Sequence, residues 1–154
     1  MREIAAEIPY GFELSSRRNT SHKTFWDKVT ILHCEAHRPE DKQQPQRYSR
    51  HYYDLYKMLN SPVKADAMNN YELLRRTFEF KHKFYPQGFA RYLDAIAGLI
   101  RLIPEEYRLK QLANDYAAMK EMIFGDFPSW HEIVEEIAGF EEELLAMKNK
   151  GLTE

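Results

Sequence analysis

The sequence predicts an all-α protein, a helical bundle of about six or seven helices preceded by a short extended N-terminal arm. Three observations carry that expectation. Apolar residues return at spacings of three and four in one segment after another, the period of a helix with one buried face. Prolines and glycines punctuate those segments at Pro39, Pro45, Pro62, Pro86, Gly88, Pro104, Gly125 and Gly151. Strict alternation of apolar and polar residues occurs in one place, Ile8, Tyr10, Phe12 and Leu14.

The alternating stretch suits a short strand, although Pro9 and Gly11 confine it to an edge strand or an ordered arm. Ser15 to His22 is polar and basic and reads as a connector, so residues 1–23 form the arm and residues 24–150 the bundle. Thr24 is a candidate N-cap, with Asp27 three residues on in the place of a capping-box acid, and Phe25, Val29, Leu32 and Ala36 form the stripe of the first helix. Pro39 ends that helix, and a polar loop from Glu40 to Gln46 leads to a central helix over Arg47 to Leu59, whose Tyr48, Tyr52, Leu55, Tyr56 and Leu59 gather on one side. The short loop predicts an antiparallel pair.

Asn60-Ser61-Pro62 stops the central helix and places Pro62 at the first position of a short one, and Asn70 can cap the next, Tyr71 to Tyr85. After Pro86-Gln87-Gly88, the run Phe89 to Ile103 is almost devoid of polar residues between Ala95 and Ile100; it predicts a fully buried helix, with Ile96 and Leu99 in one core with Tyr52, Leu55 and Leu59. Pro104, Glu105 and Glu106 open a further helix, acids at the positive end of its dipole, with Leu112, Tyr116, Met119 and Ile123 buried and Gly125 closing it. Ser129 and Glu132 then form a capping box for a last helix carrying Ile133, Ile137, Phe140, Leu144 and Met147, up to Gly151.

The bulk numbers fit one soluble domain: 154 residues, 44 % hydrophobic and 30 % charged. Aromatics reach 14 %, read as core material. A net charge of −2 argues against a protein whose main business is gripping a nucleic-acid backbone through broad electrostatics, while leaving room for a local basic patch. Cys34 is the one cysteine, which excludes an internal disulfide framework; with no signal peptide and no long apolar run, the default compartment is the cytoplasm and no membrane partner is expected.

Chemistry is sparse. His33 and His37 flank Glu35 at the spacing of two metal ligands on one helix face, but Cys34 stands where a zinc-protease motif requires Glu, and no metal site is assigned. No glycine-rich phosphate loop occurs, nor any Asp-x-Asp or Asp-x-Glu pair of the kind that holds two magnesium ions, so a self-contained nucleotide-transferring enzyme is hard to build from these residues. Asp54, at the edge of the central stripe with Arg47, Arg50, His51 and Lys57 within one or two turns, reads either as half of an ion pair that joins two helices or as a functional acid.

Two stretches resemble the later half of the AbiEii/AbiGii toxin nucleotidyltransferases: Thr24 to His33 with Glu35 to Pro39, and Arg47 to Tyr56. Supporting matches run through Phe80 to Tyr85, Leu102 to Pro104, Asp115 to Met119 and Phe124-Gly125, so that the resemblance spans roughly Thr20 to Leu145. It implies a helical region that follows a nucleotidyltransferase core, whose Gly-Ser motif and paired acids have no counterpart here. It carries the family's third motif, a Lys and a downstream Asp, onto Lys28 and Asp54 as catalytic candidates. Lys28 would neutralise nucleotide phosphate as a compact cation and Asp54 would orient it, while Arg50, His51 and Arg47 would extend the polar face toward nucleotide or RNA.

The resemblance implies no cofactor for this chain alone, with a nucleotide triphosphate and Mg belonging to the complete family enzyme. The partners it implies are a nucleotidyltransferase-core chain or an antitoxin, and a tRNA. The first expectation is therefore the helical domain of a truncated or split bacterial toxin nucleotidyltransferase, incomplete as a catalyst alone. The alternative is a non-enzymatic helical protein-interaction module or homo-oligomer such as a homodimer. A ribonuclease using Arg47 and His51 on one helix is a third reading.

Overall fold

A computed structural model describes residues 13–120 and 128–153. Among them the chain forms seven helices and no strand, an all-α fold as the sequence predicts. They are α1 (Glu13–Ala36), α2 (Ser49–Leu59), α3 (Val63–Met68), α4 (Glu72–Phe84), α5 (Tyr92–Ile96), α6 (Glu106–Met119) and α7 (Trp130–Thr153).

The stripes expected on α1, α2 and α7 are the core. Phe25, Val29, Leu32, Leu55, Ile133, Ile137 and Leu144 are completely buried, and Tyr52, Leu59 and Phe140 nearly so. Edge-to-face rings tie the elements together: Phe25 meets Phe140 with centroids 5.6 Å apart, joining α1 to α7, and Tyr52 meets Trp130 at 5.6 Å, joining α2 to α7. Helices α3 and α4 lie on α1, α6 lies on α2, and α5 packs against α4. Along the first pair, Tyr48 feels the charge of Glu35 while Asp54 meets Lys28, the order of neighbours of two antiparallel helices.

Four expectations about element ends need correction. Helix α1 runs from Glu13, so Ser15 to His22 continues a helix and is not a connector, Thr24 is not an N-cap, and Asp27 has no helix start to cap. No Pro or Gly interrupts Leu14 to Ala36, and extending a helix that already exists costs far less than starting one, so polar residues join it without an apolar stripe of their own. Of the expected arm, Glu13 and Leu14 open this helix and Ile8 to Phe12 lie outside the described residues. Asn70 does not cap α4; its amide donates to the Asp66 carbonyl at 2.9 Å and braces the end of α3. Helix α7 continues through Gly151 to Thr153. Ile123 and Gly125, the expected close of α6, lie outside the described residues.

The largest departure is the run expected to be a buried helix from Phe89 to Ile103. It contains only the five-residue α5, and Leu99, placed in the core from sequence, is 51 % exposed. Gly98 is the reason. It adopts φ 97°, its N–H donates to the Ala95 carbonyl at 2.9 Å, and the Leu99 N–H donates to the Asp94 carbonyl at 2.9 Å. This reciprocal pair terminates a helix around a left-handed glycine. The chain leaves α5 there, Leu99 turns outward, and Ile100 and Leu102 return to the core on non-helical backbone.

Candidate functional site

Lys28 and Asp54 are 26 positions apart in sequence, and the packing of α1 on α2 brings them together: Lys28 Nζ lies 3.1 Å from Asp54 Oδ2. The same ammonium donates to His51 Nδ1 at 3.0 Å. His51 and Asp54, three residues apart on α2, thus grip one cation from one helix face. Lysine has no acceptor, so His51 Nδ1 must be unprotonated and the neutral ring carries its proton on Nε2. Burial lowers the His51 pKa below its ordinary 6.5, and the neighbouring Lys28 charge lowers it further, against a smaller upward pull from Asp54. At neutral pH the cluster is a cation, an anion and a neutral imidazole.

The seam is partly open, with the Lys28 and Asp54 side chains 17 % and 32 % exposed. An ammonium has three donors, and two are committed here. Chemically, the arrangement can present one fixed N–H and its charge to an acceptor arriving from solvent. Arg50, exposed one residue before His51, adds positive potential that His51 feels. Arg47 is not part of this group. It sits just ahead of α2 with φ 66°, its N–H donating to Asp115 Oδ1 at 2.7 Å. Arg47 therefore lies outside α2 while His51 lies on it, so the two do not share one helix as the ribonuclease reading expects.

Asp115 gives the N-terminus of α2 a cap from another helix, accepting from the Ser49 N–H at 3.0 Å and from the Ser49 hydroxyl as well. The Ser49 N–H is an orphan of the helix start, and a carboxylate there also suits the dipole. Sequence reasoning gave Asp115 no role. The signal is an acid separated from its partners by more than sixty residues, with no local pattern to mark it.

The second polar group on α1 is closed. His33 is completely buried; its Nε2–H donates to the Arg91 carbonyl at 3.0 Å, and its Nδ1 accepts the Arg101 N–H at 3.1 Å. Both ring nitrogens are occupied by backbone, so His33 cannot ligate a metal with His37, whose own Nδ1–H donates to the His33 carbonyl at 2.9 Å. Burial holds the His33 pKa down to about 4. Nearby, Glu35 is buried against the Arg38 guanidinium, two N–H···O bonds at 2.7 and 2.8 Å, and accepts from Gln44 at 2.8 Å. Among the described residues no three His, Cys, Asp or Glu side chains converge as a metal cage. No helix among them is long and apolar enough to cross a membrane.

Fold and seam together define an all-helical domain with a lysine–aspartate–histidine cluster opened to solvent between its first two helices. Residues 20–138, most of the 154-residue chain, match the family described as nucleotidyl transferase AbiEii toxin, type IV toxin–antitoxin system, and the chain belongs to that family. No curated protein and no solved structure matches it.

Proposed function

We propose that these residues are the helical part of a toxin nucleotidyltransferase, in which Lys28 meets nucleotide phosphate, Asp54 holds the lysine in place, and Arg50 and His51 extend the polar face toward nucleotide or RNA. The observation that carries the reading is the Lys28–Asp54–His51 cluster. A lysine pinned by two partners loses little further side-chain entropy when an anion arrives, and its remaining donor can meet a phosphate oxygen. Asp54 also limits the attraction, because its own charge opposes an incoming anion, so binding by this domain alone is weak. The residues that activate the transferred nucleotide, a Gly-Ser motif and paired acids, are not among these 154. They belong to a core supplied from elsewhere, and an antitoxin is the partner expected to restrain the assembled enzyme.

The experiment combines this chain with a polypeptide bearing such a core and follows labelled nucleotide onto tRNA. Transfer should appear only in the mixture and should fall at least tenfold with Lys28→Ala. No transfer by the mixture defeats the split-enzyme reading. One observation favours the competing reading, an interaction module: every group in the cluster is already paired, as a purely structural clamp between α1 and α2 would be. If Lys28→Ala alters stability and leaves nucleotide binding unchanged, the clamp is the better account.

A further inference from the structure

A second surface, outside the lysine–aspartate seam, carries chemistry the cluster does not use. The outer side of α4 exposes Arg76, Phe80, Lys83 and Phe84, and the spacing of 76, 80, 83 and 84 places them on one face. Phe80 and Phe84 are 49 % and 56 % exposed, and the adjoining Tyr85 is 52 % exposed. The rings form their own cluster in the open, Phe80 lying 4.8 Å from Phe84 and 5.9 Å from Tyr85 between centroids, with Lys83 Nζ 5.3 Å from the centre of the Phe84 ring. Two phenylalanine side chains, Phe80 and Phe84, exposed together on one turn are a cost that a solvated helix face does not need.

Around them the cations outnumber the carboxylates. Arg75, on the adjacent side of α4, is neutralised by Glu79 at 3.1 Å, with Glu72 at 4.0 Å behind it. Arg76 and Lys83 have no carboxylate partner among the described residues, and His82 is exposed between Lys81 and Lys83. Lys81 turns inward, where its charge is felt by Asp27. Half-exposed aromatic rings bordered by the cations Arg76 and Lys83 suit a ligand with flat apolar faces strung on an anionic backbone, which is an unpaired polynucleotide. A protein partner with an acidic, apolar surface would answer the same charges, but it would not use the aromatic character of the two rings, which a stacked base does.

We propose that the Arg76–Phe80–Lys83–Phe84 face binds single-stranded RNA, with bases stacking on Phe80 and Phe84 and phosphates meeting Arg76 and Lys83. The choice of RNA over DNA rests on the toxin reading above; the stacking surface itself does not. The test is fluorescence anisotropy of the full chain with a labelled oligouridylate, which has little structure of its own. Binding should weaken as salt rises. Phe80→Ala combined with Phe84→Ala should weaken it by roughly tenfold or more, while an unchanged melting curve shows that these exposed positions have not disturbed the fold. Lys83→Gln should flatten the salt dependence. Lys110→Gln, an exposed cation on α6, should leave oligouridylate binding nearly as it was, and the double aromatic variant should leave the His51 titration unchanged, which separates the surface from the seam: failure of nucleotide transfer would count against the seam alone. The proposal is overturned if the double aromatic variant binds as tightly as the wild type, if the chain does not bind oligouridylate at low salt, or if a duplex RNA competes as well as the single strand. Equal affinity for the matching oligodeoxyribonucleotide overturns the assignment to RNA.

Discussion

Lys28 and His33 stand five residues apart on α1, and each reaches across to hold another part of the chain. His33, itself completely buried, spends both ring nitrogens on backbone, the Arg91 carbonyl and the Arg101 N–H. Lys28 spends two of its donors on side chains, Asp54 and His51, in a seam that water reaches. Saturation and burial make a fastener; an unspent donor at the surface makes a group that can still act. The contrast also explains why residue type misleads, since histidine is the more familiar ligand and lysine the more ordinary surface residue, and here their parts are reversed.

The largest effect that tests the contrast is His33→Ala. It leaves the Arg101 N–H without its acceptor and takes one of two donors from the Arg91 carbonyl, which keeps the Ala95 N–H; an orphaned donor costs ~1–3 kcal/mol, and the space left by the buried ring adds to it. Arg91 also holds φ 54°, which an arginine adopts only where its surroundings fix it, and His33 is one of those fixtures. A loss of about 2–3 kcal/mol is expected, lowering Tm by roughly 5–10 °C. Thermal unfolding checks it, and a Tm within a degree or two of wild type would remove His33 from the structural side.

Acidification should make the same point with a smaller effect. His33 titrates near 6.5 when unfolded and at about 4 in the fold. Between those values the unfolded chain binds a proton that the native chain refuses, so stability rises with pH across the window and is lost as pH falls from 6.5 toward 4. The full penalty, ~3 kcal/mol, is reached only below the lower value, and at pH 5 about half of it is felt. His37 and His51, also lowered by burial, act in the same direction. Urea midpoints at pH 7 and pH 5 should separate clearly in wild type and less in His33→Gln, which does not titrate; equal separations would show that His33 is not the group responsible.

Much of this was legible in the sequence, for physical reasons that also mark where reading fails. The stripes of α1, α2 and α7 follow from period alone, and the capping box does as well: Ser129 and Glu132 exchange hydrogen bonds at 2.9 and 3.1 Å. These features are local, so a window of a dozen residues contains them. Leu99 failed because an apolar run outweighed the glycine inside it, although Gly98 was the stronger statement about where the chain turns. The start of α1 failed because a polar segment can be helical when it merely prolongs a helix. In the seam, the family resemblance singled out Lys28 and Asp54, and the spacing of His51 from Asp54 put both on one side of α2; that Arg47 belongs instead with Asp115 depends on a contact between α2 and α6 that no local pattern encodes.

The smallest effects belong to the open side of the comparison, and their signs are what test it. A pair this exposed contributes ~0–1 kcal/mol, so Lys28→Ala and Asp54→Asn should each change stability by no more than about 1 kcal/mol. Asp54→Asn should be the more harmful, because it leaves the Lys28 ammonium, the more enclosed of the two, without its counter-charge. His51 reports on both. Lys28 lowers its pKa and Asp54 raises it. Removing the lysine should therefore move the His51 titration upward toward its ordinary value, and removing the aspartate charge should move it further down. An NMR titration of the His51 ring in the two variants reads the signs directly. Opposite shifts establish that the three groups share one electrostatic site in solution. Shifts of the same sign, or none, would mean that the lysine leaves the seam in water, and the proposed meeting with phosphate would lose the held cation on which it depends.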